Sequence, residues 1–240
     1  MRTRNASKSR VSGAAILTAL FALGAVAGFF APTTSAAVIT FNNVTGYSTT
    51  TQGANGWSYA AVHYTDAADL QAGLVPMTYD GTHGYWFDNF SGVVIIDSQT
   101  SQNMQEGNAY FSLRYWTADQ NYSTVQVTST LYATVTVGAH LIYYDASTTT
   151  QANKVDQFST TTGITNGGGT QVMNINYTLS NVAAGSRVYF ELGNSGDGLG
   201  SGVLQQWDQT IAATPVPEPA TLALLGLGGL LTVSGLRRRV

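Results

Sequence analysis

The chain of 240 residues has no cysteine, three histidines and five prolines, and only 10% of it is charged. Without cysteine there is no disulfide staple, no thiol nucleophile and no zinc–thiolate centre, so stability must come from burial and backbone hydrogen bonding. His63, His83 and His140 are far apart and form no HExxH spacing. Basic residues are scarcest in the middle: of ten, only Arg114, Lys154 and Arg187 lie between residues 38 and 214, against twelve of the thirteen acidic ones. That stretch has a balance of −9, hidden by the −3 of the whole chain. Such a surface argues against nucleic acid or an anionic membrane as partner. GxSxG, Walker glycines and a Ser/His/Asp cluster are also missing. A glycosidase needs two carboxylates about 5–10 Å apart. The middle offers two glutamates, Glu106 in a polar loop and Glu191 on the parity opposite to Val188 and Phe190, hence expected to face solvent. The expectation is a protein that is not an enzyme, with a secreted glycan-active hydrolase as the competing reading.

What the chain does have is concentrated at its ends. Arg2, Arg4, Lys8 and Arg10 precede an uncharged apolar run from Val11 to Ala31, followed by small residues with Ser35 and Ala37 at signal-peptidase spacing. This is the layout of a secretory signal peptide over residues 1–37. The run is long enough that an uncleaved anchor is the alternative. At the other end, Ala220 to Leu236 is 17 residues without a charge, just before Arg237, Arg238 and Arg239. A bilayer core of about 30 Å needs about 20 helical residues, with about 17 as the lower limit. The segment therefore predicts a marginal transmembrane helix. The arginines would stop on the cytoplasmic side, which puts the middle of the chain outside. Pro217 and Pro219 flank Glu218 and keep the residues before the helix extended.

The middle, residues 38–214, reads as all-β. In "STVQVTSTLYATVTV" Val125, Val127, Leu131, Val135 and Val137 share one parity, which predicts a strand pair or one long bent strand with a buried face. "TQVMNINYTL" and "SRVYFEL" repeat the alternation, and "GVVIIDS" is a short apolar run expected to be covered on both faces. Further strands are expected at 38–44, 57–64, 109–116, 140–145 and 206–212, with a short helix near 66–72. About ten strands with Gly-rich turns between them point to a two-sheet sandwich of jelly-roll type, with a β-helix as the rival fold. Aromatic faces stack on sugar rings, and Trp57, Tyr59 and Trp86 are candidate glycan platforms. Trp57 and Tyr59 share one parity, and Ala60, Val62 and Tyr64 on the other make a reasonable inward face. Trp116 and Trp207 are expected in the core. In "NSGDGLGSG", Asn194, Ser195 and Asp197, with Asp208 shortly after, are candidate oxygen ligands for calcium, set against a plain flexible turn.

Val216-Pro217-Glu218-Pro219-Ala220-Thr221-Leu222, the Leu/Gly-rich span and the terminal arginines together resemble the PEP-CTERM sorting signal. The resemblance implies export, a transient stay in the inner membrane, and processing by an exosortase at the Pro-Glu-Pro clasp. A plain C-terminal anchor is the alternative. "TQGANGWSYAAV", "YFSLRYWTAD", "VAAGSRVYFELGN" and "WDQTIAA" are similar to pieces of jelly-roll domains akin to carbohydrate-binding modules. That resemblance implies a structural or glycan-associated module of an extracellular polysaccharide layer, often with one structural calcium near the terminal strands. The chain departs from it at Gly185-Ser186, where an acidic turn residue is usual. The expected partners are a signal peptidase, an exosortase and an exopolysaccharide, with the cell surface or a biofilm matrix as destination.

Overall fold

The computed structural model describes residues 36–63, 70–88, 94–95, 98–102, 110–133, 138–158, 171–193 and 204–217. Ala37–Val216 forms one compact unit. The remainder, Met1–Ala36 and Pro217–Val240, lies almost wholly outside the described residues, and with it the expected signal and transmembrane helices. Among the described residues, no helix is long and apolar enough to cross a membrane.

The elements run β1 (Ile39–Asn42), β2 (Trp57–His63), a single helical turn α1 (Leu70–Gly73), β3 (Leu74–Pro76), β4 (Thr78–Asp80), β5 (Tyr85–Phe87), β6 (Val94–Ile95), β7 (Thr100–Gln102), β8 (Tyr110–Thr117), β9 (Tyr122–Ala133), β10 (Gly138–Asp145), β11 (Thr150–Phe158), β12 (Gln171–Val182), β13 (Arg187–Gly193) and β14 (Leu204–Pro215). One sheet has the order β1-β14-β9-β12, with β7 also on β14; a second has the order β11-β10-β13-β8-β2-β3. A third, β4-β5-β6, was not foreseen in the sequence. Every described pairing is antiparallel, as expected of an all-β chain built from short-range alternation.

The expected alternation produces the core. Val125, Val127 and Leu131 of β9, Ile175 and Leu179 of β12, and Trp207 and Ile211 of β14 point from the first sheet into one cluster. Trp57 and Tyr59 of β2, Trp116 of β8, Leu141 of β10, and Val188, Phe190 and Leu192 of β13 enter it from the second. Each large side chain fully buried there contributes about 1.5–3 kcal/mol from removal of its surface from water. The segment read as a strand pair or one bent strand is the single twelve-residue β9, and its partner β12 matches it in one register from Gln171↔Ala133 to Val182↔Tyr122. Val135 and Val137 lie outside the described residues. The apolar run at 92–98 supplies β6 on one edge of the third sheet.

Two further features went unseen in the sequence. The second sheet is covered on both faces: Ala60 and Val62 of β2, Leu113 of β8, Ile142 of β10 and Tyr189 of β13 form a smaller core with Leu70 of α1. Glu191, on the same face as Tyr189, is therefore buried, with 3% exposure, rather than facing solvent. The other feature is polar. Arg114 is buried between the sheets, where Nη1 donates to the Trp207 carbonyl at 3.3 Å and to Gln209 Oε1 at 3.2 Å. Its Nη2 donates to the Thr100 carbonyl at 3.2 Å, and the guanidinium lies 5.8 Å from the Tyr59 ring centre.

Asn43 closes the same polar seam. Its Nδ2 donates to the Ser98 and Trp207 carbonyls, and its Oδ1 accepts from the Gln209 N–H at 2.7 Å. The residue is fully buried, so an apolar side chain there would strand several backbone groups away from water. Each buried group left unsatisfied costs about 1–3 kcal/mol. Asn43→Leu is expected to lower unfolding free energy by about 3 kcal/mol, read as a lower urea midpoint at unchanged slope. A loss below about 1 kcal/mol would contradict this assignment.

Candidate functional site

The three aromatic residues expected to form an exposed platform are all in the core. Trp57 is 0%, Tyr59 1% and Trp86 3% exposed. Neither parity is exposed, because β2 is an interior strand with both faces covered: Trp57, Tyr59 and Ala61 enter the large cluster, Ala60 and Val62 the small one. These rings stack on one another rather than on a ligand. Tyr59 stacks on Trp86 at 5.2 Å and packs edge-on to Tyr47 at 5.7 Å. Trp57 meets Phe190 at 5.9 Å, and Phe190 meets Trp207 at 5.8 Å. Trp86 belongs to β5, so its contact with Tyr59 fastens the third sheet to the main core, and its Nε1 donates to the Ser48 carbonyl at 2.8 Å. Burial pushes the Tyr59 hydroxyl up to about 12, only partly offset by the Arg114 charge. Trp116 and Trp207 are buried, as expected.

The surface that is open lies on the outer face of the first sheet. Residues alternate along its strands, so every side chain next to a core residue points out. Cross-strand register aligns Asp208, Thr130 and Asn174 in one row and Thr210, Thr128 and Asn176 in the next. These six side chains line an open groove of about 280 Å³. A further row, Ala212, Gln126 and Thr178, continues the face. Neighbouring strands are about 4.8 Å apart and alternate residues about 7 Å, so hydroxyl and amide groups stand on a regular grid. The grid is internally braced. Thr130 Oγ1 donates to Asn174 Oδ1 at 2.9 Å, Gln126 Nε2 to Asn176 Oδ1 at 3.4 Å, and Asn42 Nδ2 to Thr210 Oγ1 at 3.0 Å. Asp208 is the one charged member. The signal was present in the sequence as the Thr, Asn and Gln positions between the buried ones, but polar outer faces are common and nothing there singled out this one.

Of the candidate calcium ligands, Asn194, Ser195 and Asp197 lie outside the described residues. Asp208 is described: its Oδ1 accepts from Gln99 Nε2 at 2.9 Å and its Oδ2 from Gln206 Nε2 at 3.3 Å. Its oxygens thus already serve two amides, whereas calcium takes six to eight oxygen ligands. Among the described residues no three His, Asp or Glu side chains gather as a metal site. Of the two glutamates, Glu191 is buried in β13 on the same face as Tyr189, and Glu106 is outside the described residues. His83 Nδ1 lies 2.6 Å from Asp80 Oδ2 in an exposed turn, and this hydrogen bond lowers the Asp80 carboxyl below its ordinary value.

The C-terminal end of the fold is the other site. β14 is flanked by β1 and β9, and its last residue, Pro215, pairs with Tyr122. The Val216 N–H still donates to the Asn121 carbonyl at 3.0 Å. Val216 and Pro217 are then exposed. Glu218, Pro219 and Arg237–Arg239 lie outside the described residues. Comparison with protein families matches this region to the PEP-CTERM protein-sorting motif, over residues 215–239. The chain carries a PEP-CTERM sorting motif. The motif implies an exported protein, sorted by an exosortase, with a cell-surface or extracellular location. Comparison with curated proteins finds no match.

Among solved structures the chain is similar to adhesin and polysaccharide-binding domains. The K1 cleaved adhesin domain of Lys-gingipain from Porphyromonas gingivalis is 12% identical, with 75% of this chain and 99% of that one covered and a TM-score of 0.36. The CBM22-1 xylan-binding domain of Paenibacillus barcinonensis Xyn10C is 6% identical, covering 76% and 98%, with a TM-score of 0.35. The N-terminal cellulose-binding domain of Cellulomonas fimi β-1,4-glucanase C is 14% identical, covering 70% and 93%, with a TM-score of 0.29. Likeness at this level says nothing of what this chain binds.

Proposed function

We propose that the chain is an exported, non-enzymatic module that associates with a neutral exopolysaccharide through the outer face of its first sheet. In this reading a signal peptidase removes the leader near Ala36 or Ala37. The C-terminal helix holds the protein briefly in the inner membrane. An exosortase then cuts at Pro217-Glu218-Pro219, leaving the domain at the cell surface or in the extracellular matrix. The observation that carries the binding role is the grid of Thr128, Thr130, Asn174, Asn176 and Thr210 around one groove. Hydroxyls and amides both donate and accept, which suits the alternating hydroxyls of a sugar polymer. The balance of −9 across residues 38–214 disfavours a polyanionic glycan. This face replaces the buried Trp57, Tyr59 and Trp86 as the place where a glycan is held.

The test is affinity electrophoresis in a gel containing the host's own exopolysaccharide. Wild-type protein should be retarded. Combining Thr130→Val, Asn174→Ala and Asn176→Ala removes three hydrogen-bonding side chains worth about 1 kcal/mol each. Retention should fall at least about ten-fold, with the far-UV spectrum unchanged because all three positions face outward. An unretarded wild type, or a triple variant retarded as strongly as wild type, contradicts the binding role.

A further inference from the structure

Sheet edges carry unpaired backbone N–H and C=O groups, and natural proteins blunt them with shortness, proline, charge or bulges. Four of the five edge strands of the two large sheets are blunted in this way. β1 has four residues and β7, also on β14, has three; β3 has three and ends in Pro76; β11 carries Lys154 and Asp156, and its pairing with β10 shifts register between Leu141 and Ile142. β12 has none of these devices from Gln171 to Ser180; only at its end does Asn181 turn to a left-handed backbone, φ 54°. Its twelve residues, QVMNINYTLSNV, include no charge and no proline, and its register against β9 is unbroken. Among the described residues it pairs with β9 alone. Val172, near its start, is 53% exposed.

We infer that β12 is a self-association edge, pairing antiparallel with β12 of a second copy about a two-fold axis. Three observations favour a second copy over an unrelated strand. An uncharged strand meets its own copy without like-charge repulsion, although the domain as a whole is acidic. A two-fold at Asn176 or Tyr177 sets residues of equal parity opposite each other. Ile175, Leu179 and Tyr177 then continue the core face, and Asn174, Asn176 and Thr178 continue the polar face, whereas a one-residue slip would invert every side chain. Such an isologous contact also closes, with both long edges consumed and none left to propagate. The two five-stranded sheets become one sheet of about ten strands, within the usual upper size for an open sheet. This pairing stands or falls independently of the glycan role.

The absence of cysteine makes the test direct, because any disulfide-linked dimer must come from an introduced residue. Asn174→Cys, Asn176→Cys and Thr178→Cys are expressed singly and in mixed pairs as the full chain in its host, oxidised briefly, and run on non-reducing gels. Ser147→Cys, in an exposed turn far from β12 in the fold order, measures random collision. A two-fold at Asn176 gives a double-mass band from Asn176→Cys alone and from the mixture of Asn174→Cys with Thr178→Cys. A two-fold at Tyr177 gives it from the mixture of Asn176→Cys with Thr178→Cys. Either pattern should exceed the Ser147→Cys band at least ten-fold. Adding Gln171→Lys and Ser180→Lys at the ends of the strand should reduce it at least ten-fold. Bands no stronger than the collision control, bands equal in every combination, or bands indifferent to the added lysines overturn the inference.

Discussion

Trp57→Ala should strip the protein of about 3–5 kcal/mol of its stability and lower its urea midpoint steeply. Trp57 has no exposed surface, packs against Phe190, and fills space that the chain has cleared for it. A Cβ on Gly46 would lie 2.6 Å from Trp57 Cδ1, so the backbone at Gly46 is laid directly on the indole. Removing a ring held so tightly leaves a cavity that the surrounding strands cannot close, because β2 is fixed on one side by β8 and on the other by β3. Large aromatic to alanine changes in cores cost about 3–5 kcal/mol, against a total stability of about 5–15 kcal/mol for a domain. Tyr59→Ala adds a second loss of similar size, since Tyr59 joins the main core to the third sheet through Trp86. The double variant should therefore show no cooperative urea transition. An exposed glycan platform would predict the reverse: lost polysaccharide retention at nearly wild-type stability. That reverse result would refute the placement of these rings.

The same residues show how far the sequence could be read. Alternation alone found β9, β12 and β13, because aliphatic and polar residues take turns along them and only one face of β9 and β12 is buried. β2 was found as a strand but not resolved as to face, since Trp57, Ala60, Tyr59 and Val62 are apolar on both parities. Its second cover comes from Leu70 of α1, packed on a face that β2 shares with side chains of β8, β10 and β13, contacts between residues far apart in the chain. β11 was missed because QANKVDQF has almost no aliphatic alternation; its pairing with β10 defines it. In the sequence Arg114 is only one of three basic residues in the middle of the chain. Its burial depends on the Trp207 and Thr100 carbonyls and the Gln209 amide arriving from the opposite sheet. The polar grid was equally illegible, because it exists only once β9, β12 and β14 lie side by side. The sorting motif was the clearest feature, since its ordered elements are contiguous and need no fold to be recognised.

Processing at that motif is the second large effect, and it is all-or-none. The fold ends where the motif begins: β14 stops at Pro215, Val216 makes its last backbone hydrogen bond to Asn121, and Pro217 is exposed. A cut after about Pro219 therefore removes no strand and no described core residue, so the released domain should keep its urea midpoint. The 17 uncharged residues beyond it are barely enough for a core of about 30 Å, which suits a temporary hold better than a permanent one. Replacing Pro217 and Pro219 together with alanine frees the clasp to join the helix and should abolish processing while leaving the fold untouched. The fate of the natural chain is the most direct readout of this processing. Intact-mass spectrometry of the protein from a host with a working exosortase should show a species beginning near Val38 and lacking everything after about Pro219; a chain still carrying its arginine-terminated tail in the membrane would contradict it.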